Sequence, residues 1–228
     1  VRVLRDRAVG GEDTAARDVE KRHTVPRRAV GVGLRHALLG GAVGGEVLQE
    51  HIFVALEQAL GERIIPVAQV PDAYQLHAGD IRHLPEFQQG WFYVQDLASQ
   101  ICSLAIGAKA GETVLDLCAA PGGKTCTMAL QMQGGGKVLA FDLAQSRVGL
   151  IAENVRRLGL TNVTAMQGDA AVYQPELAGA DRVLCDVPCS GLGVLRRKPE
   201  VKEKQPEELA QLPPVQLAIL ENAARYVK

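Results

Sequence analysis

The sequence predicts an α/β fold built on a parallel sheet, and three observations carry that prediction. Beyond Gly111, short apolar runs alternate with stretches of helical period. The connections between them are short and marked by glycine or proline. The helices are long enough to return the chain across a sheet, so right-handed βαβ units are the expected wiring. Strands are expected at Thr113–Leu117, Lys137–Asp142, Val163–Gln167 and Asp181–Asp186, and helices at Lys124–Gln131, Ser146–Leu158 and Pro214–Val227. A parallel sheet of this kind holds ligands outside the carboxyl ends of its strands.

Upstream the texture differs. Residues 1–51 lack Ile, Phe, Tyr, Trp, Ser, Asn, Cys and Met, and a stretch without aromatics buries little apolar surface. We expect a disordered or non-native leader there, with a short helical lead-in over Val30–Leu39 as the alternative. From Ile52 the apolar positions Ile52, Ala55, Leu56, Ala59 and Leu60 share a helical face, Gly61 stops the run, and Ile64–Val67 and Ala73–Leu76 read as strands. A small α+β subdomain is therefore expected over 52–96. Asp96 is a good N-cap for an apolar helix Leu97–Ile106, so the main domain is expected to span 97–228.

Composition excludes several classes. The 228 residues are 47% hydrophobic and 22% charged, an ordinary globular balance. Five cysteines include no CxxC pair, and Cys118, Cys126, Cys185 and Cys189 fall in or beside strand and helix ends, which argues against a disulfide framework and a metal site. No apolar run reaches the roughly 18 residues of a membrane span, so no membrane partner is expected and the cytoplasm is the expected location. The net charge of −1 leaves no global basic field, so any nucleic-acid contact must be local. The best patch is Arg196, Arg197, Lys198, Lys202 and Lys204, although Glu200, Glu203, Glu207 and Glu208 dilute it and a solvated loop fits equally well.

The chemistry concentrates at four expected strand ends. The first leads into Cys118, Ala119, Ala120, Pro121, Gly122, Gly123 and Lys124, where two glycines permit close approach of a ligand to a helix start that favours anionic groups. This is neither the dinucleotide G-x-G-x-x-G pattern nor a P-loop, and a purely structural turn would look similar. The second strand ends in Asp142, where an acid in this architecture accepts ribose hydroxyls, or simply caps a helix. The third ends in Gly168-Asp169 and the fourth in Asp186. Together they describe a nucleoside pocket. The fourth continues as Asp186-Val-Pro-Cys-Ser-Gly-Leu-Gly193, which sets the Cys189 thiol on a sharp turn beside a carboxylate able to bond a base edge. Carbon 5 of cytosine attacks a methyl donor only after a thiolate has added to carbon 6, so a cysteine at such a pocket suits that reaction. Cys185, inside an apolar strand, reads as packing.

These segments, Val114–Thr125 and Asp186–Gly193, resemble the Sun-type (Fmu) family of RNA cytosine-5 methyltransferases. Trp91–Asp96, Arg196–Pro199 and Leu212–Leu217 bring the resemblance closest to its bacterial branch B, which acts on 16S ribosomal RNA; residues 1–51, where the family carries a helical RNA-binding domain, show no match. The resemblance implies a Rossmann-like class I methyltransferase with S-adenosyl-L-methionine as cofactor. It implies that the backbone of Cys118–Lys124 holds the methionine part, Asp142 the ribose and Asp169 the adenine, and that Asp186 borders cofactor and cytosine. It also implies that Cys189 assists product release, while the attacking thiolate comes from a second cysteine on a strand expected just after Lys228. Because the sequence opens on Val1 and stops at Lys228, we read it as a fragment. Two readings follow: a monomeric enzyme acting on a flipped, single-stranded or loop cytosine, or a catalytically incomplete cofactor- and RNA-binding module. Trp91 and Phe92 could stack on a base, but a hydrophobic seam between the subdomains is the preferred reading. A dehydrogenase would need the dinucleotide glycine pattern, which is missing.

Overall fold

Apolar spacing followed by a turn builds the first unit of the computed structural model, which describes residues 29–34 (as backbone), 54–77, 80–195 and 199–228. Helix α1, over residues 54–60, buries Leu56 and Leu60 one turn apart on one face. Strands β1 (Ala29–Leu34), β2 (Ile64–Pro66), β3 (Ala73–His77) and β4 (Phe92–Val94) form an antiparallel sheet in the order β2-β3-β1-β4, with the short helix α2 (Pro85–Gln88) between β3 and β4. Leu56, Leu60, Ile64, Leu76 and Phe92 are its core, with Tyr74, Phe87 and Trp91 packed against them. Phe92 and Trp91 thus pack as expected of apolar residues, but inside this unit's own core and not in the seam between subdomains that the sequence suggested.

β1 corrects the expectation for residues 1–51. Ala29–Leu34 is neither leader nor part of a helix over Val30–Leu39: it lies between β3 and β4, pairing Ala29–Gly33 with His77–Ala73 and Val32–Leu34 with Val94–Phe92. The sequence Ala-Val-Gly-Val-Gly-Leu has an apolar residue at every second position, but glycine weakens the pattern, and the strand is fixed by partners far along the chain. The antiparallel unit therefore extends beyond the expected 52–96. The rest of 1–51 lies outside the described residues.

Asp96 caps α3 (Leu97–Ile106) as expected, accepting the Ala98 N–H on Oδ1 at 3.0 Å, and Gly107 ends it in the left-handed region at φ 63°. The chain then runs β5 (Thr113–Asp116), α4 (Gly123–Gln131), β6 (Lys137–Asp142), α5 (Gln145–Arg157), β7 (Val163–Gln167), β8 (Arg182–Leu184), α6 (Pro206–Ala210) and α7 (Leu212–Tyr226). The four strands form a parallel sheet in the order β7-β6-β5-β8. Successive residues point to opposite faces. Val114 and Val138 pack with Met128 and Leu158 on one side, whereas Leu115 and Phe141 pack with Ile219, Ala223 and Tyr226 of α7 on the other. Each fully buried side chain of this kind contributes about 1.5–3 kcal/mol.

Two boundaries of the parallel half differ from expectation by two residues, the others by at most one. β8 stops at Leu184, whose carbonyl accepts the Leu117 N–H at 3.0 Å; beyond it the chain turns away, and Asp186 meets Lys124 instead of a ladder partner. α7 starts at Leu212, because Pro213 and Pro214 sit in the first turn, where no intrahelical N–H is required. The chain order β5, β6, β7 runs outward on one side, and β8 then returns to the other side of β5. The resulting crevice between β5 and β8 is the topological switch point where such sheets take ligands. No described helix is long and apolar enough to cross a membrane, and no cluster of three or more His, Cys, Asp or Glu able to hold a metal occurs among the described residues.

Candidate active-site cleft

An open cleft of about 210 Å³ lies at this crevice, lined by Val94, Gln95, Asp96 and Ser99 on one side and by Asp116, Cys118–Pro121, Gly123, Lys124 and Asp186 on the other. Both units contribute walls. β4 makes this possible: Phe92 enters the antiparallel core, Tyr93 the parallel-sheet core, and the next two residues reach the cleft. The buried Gln95 is held there by the Thr127 hydroxyl, which donates to its Oε1 at 2.8 Å.

The loop from Cys118 to Lys124 is fixed from behind. The Ala119 N–H donates to the Phe141 carbonyl at 2.8 Å, and the Gly122 N–H closes a turn on the Ala119 carbonyl at 2.7 Å. From α5, Arg147 Nη2 donates to the Ala120 carbonyl at 3.3 Å and Asn154 Nδ2 to the Pro121 carbonyl at 3.0 Å. Gly122, at φ 101°, takes a backbone conformation that favours glycine, and a Cβ there would press to 3.3 Å on the Ile151 Cα. The start of α4 faces the cleft, and the N–H groups of a first helical turn, together with the helix dipole, favour a carboxylate or other anion.

Asp116 ends β5 at 1% exposure. The Thr125 hydroxyl donates to its Oδ2 at 2.6 Å, while Oδ1 is left without a well-aligned donor. Burial raises its carboxyl to about 6, an effect only partly offset by Thr125 and the charge of Lys124. Lys124 Nζ pairs with Asp186 Oδ2 on its own wall at 2.6 Å and donates across the cleft to Ser99 Oγ at 3.4 Å. Burial, reinforced by Asp116 and Asp142, raises the Cys118 thiol to about 12, so it stays protonated at neutral pH. Cys185, packed against the core, is shifted upward by burial and then by Asp186.

The remaining expected residues stand apart from the cleft lining. Asp142 is 2% exposed behind the loop, where its oxygens accept the Ala120 and Ala144 N–H groups at 3.3 Å and face Arg147 at 3.5 Å. Asp169 is exposed beyond it, accepting the Ala171 N–H at 2.9 Å; the preceding Gly168 N–H donates to the Asp142 carbonyl at 3.1 Å. Cys189 is exposed on its turn. That turn is tied by Gln216 Nε2 to the Pro188 carbonyl at 2.7 Å and by Lys204 Nζ to the Ser190 carbonyl at 2.9 Å. Lys204 is therefore a tether as well as a surface cation, and Arg196–Lys198 lie outside the described residues. Gln95, Ser99, Thr125 and Asn154 received no role from the sequence. The helical spacing of Arg147, Ile151 and Asn154 was the one local signal that could have pointed to the loop.

Comparison with known proteins agrees with this architecture. A family model described as 16S rRNA methyltransferase RsmB/F matches residues 103–228. The probable ribosomal RNA small subunit methyltransferase B of Bacillus subtilis (strain 168) is 44% identical over 160 residues, covering 69% of this chain and 36% of that protein. The chain thus spans little more than a third of that relative's length. A crystal structure of a methyltransferase homologue from Pyrococcus horikoshii gives a TM-score of 0.70 at 25% identity, over 88% of this chain and 62% of its own. The structure of NSun6 from Pyrococcus horikoshii with SFG gives 0.59 at 30% identity, over 66% and 39%. Matched over more than half its length, with a Rossmann-like parallel sheet, the chain belongs to the 16S rRNA methyltransferase RsmB/F family.

Proposed function

We propose that the cleft binds S-adenosyl-L-methionine and that the chain carries this part of an enzyme methylating carbon 5 of a cytosine in 16S ribosomal RNA. The observation that carries the reading is the meeting of the rear-anchored Cys118–Lys124 loop with Asp116 and Asp186 at the switch point. The donor set fits the cofactor. The start of α4 and Lys124 suit a carboxylate, and the spare Asp116 Oδ1 suits an ammonium group. The Asp142 carboxylate, whose protein contacts are all 3.3 Å or longer, has capacity for the two hydroxyls of a ribose. Asp169 is proposed for the adenine. When bound, the cofactor supplies an electrophilic methyl group.

The chain's own residues would orient and protonate around it. Asp186, held by Lys124, would accept a hydrogen bond from the cytosine amino group, and Cys189, three residues on, would assist product release. The antiparallel unit, one wall of the cleft, is proposed to contact the RNA, in a monomeric cytoplasmic protein. A second reading, a module that binds without completing the chemistry, is favoured by one observation: the Cys118 thiol lining the cleft is raised to about 12 and Cys189 stands outside the lining. Methyl incorporation into small-subunit RNA separates the two. Transfer to carbon 5 supports the first; saturable cofactor binding without transfer supports the second.

A further inference from the structure

The anchoring of the cofactor loop continues, bond by bond, into the antiparallel unit. Asn154 uses both ends of its amide: Nδ2 donates to the Pro121 carbonyl at 3.0 Å, and Oδ1 accepts from Arg157 Nη2 at 3.2 Å. Arg157 Nη1 in turn donates to the carbonyls of Phe87 at 2.7 Å and Phe92 at 2.9 Å, and its guanidinium lies 3.9 Å from the centre of the Phe87 ring. Gly90 fixes the same seat: a Cβ there would lie 1.9 Å from the Arg157 carbonyl oxygen. A planar guanidinium spreads its donors over separate nitrogens, so Nη1 reaches two carbonyls while Nη2 reaches an amide, a span that the single nitrogen of a lysine does not cover.

The direction of these bonds matters. By taking the Pro121 carbonyl, Asn154 holds the loop's carbonyl edge against α5, leaving the start of α4 turned toward the cleft. We propose that Asn154 and Arg157 are positioning residues that set the Cys118–Lys124 loop, and with it the amino-acid end of the cofactor, from the seat of the antiparallel unit. The proposal rests on the cleft reading given above. It assigns these residues no contact with the cofactor, and it makes cofactor affinity depend on how the two units sit together.

The test uses two ligands that share adenosine but differ at the other end: S-adenosylhomocysteine, which carries the amino-acid group, and 5′-methylthioadenosine, which lacks it. In calorimetric titrations, Asn154→Ala should weaken S-adenosylhomocysteine by about 5- to 10-fold, as expected for one lost positioning bond, and leave 5′-methylthioadenosine unchanged. Asn154→Asp, which keeps an acceptor for Arg157 but removes the donor to Pro121, should behave the same way. Arg157→Lys should reproduce the selective loss in the wild-type background and add nothing to Asn154→Ala. Equal loss for both ligands, no loss for either, or additive losses would overturn the proposal. If the wild-type chain bound neither ligand, the cleft reading itself would fall, and the proposal with it.

Discussion

Two glycine-containing segments follow β5 and β8, the strands that flank the switch point, and they are built differently. The Cys118–Lys124 loop is tied to β6 and to two side chains of α5, and Gly122 is pressed against Ile151. The Pro188–Gly193 turn is exposed at Cys189 and held by two side-chain tethers, from Gln216 and Lys204. The difference separates a preorganised half, which suits a ligand of fixed shape, from a half able to adapt, which suits a base arriving within a larger polymer.

Thiol chemistry should break the symmetry most visibly. Alkylation at about pH 8 should modify the exposed Cys189 and Cys102 more than ~100-fold faster than Cys118 or the buried Cys126, both raised to about 12. Mass spectrometry of a time course checks this. Comparable labelling of Cys118 would show that the loop opens freely.

Asp116 gives a pH signature of the rigid half. Its folded value, about 6, lies above the usual 3.8, so the folded chain holds this proton more tightly than the unfolded one. The associated stability is complete below about 3.8 and is lost as pH rises through about 6. Asp116→Asn cannot ionise. Its stability relative to wild type should therefore rise by about 2 kcal/mol between about pH 4 and about pH 7, read from urea unfolding at each pH. Thr125→Val removes the 2.6 Å donor to this carboxylate and should cost about 2 kcal/mol near neutral pH.

Glycine substitutions sharpen the contrast at the smaller end. Gly122→Ala should destabilise by about 2 kcal/mol, because φ 101° and the Ile151 contact both oppose a side chain. Gly193→Ala, with nothing within 4 Å of the added Cβ, should change stability by less than ~0.5 kcal/mol. Matched denaturation curves decide both.

The parallel half was legible because its elements are local. Apolar runs, Gly-marked turns and the Asp96 cap lie within a few residues of what they specify, and the strands of this half differ from expectation by two or three residues at most. β1 was not legible, since its glycine-diluted pattern becomes a strand only by pairing with β3 and β4. In the cleft, the loop and Asp186 could be read from type and spacing, whereas Gln95 and Ser99 arrive from the end of β4 and from α3, ahead of the parallel strands, and no local pattern announces them. Asn154 acts through a carbonyl 33 positions earlier in the sequence, which only the folded chain brings within reach.

Direct titration of the chain with S-adenosyl-L-methionine, alongside NAD, tests the central claim most plainly. The cleft described here predicts saturable one-to-one binding of S-adenosyl-L-methionine that is weakened by Lys124→Ala, with no competition from NAD. No binding, or a preference for the nicotinamide cofactor, would contradict it.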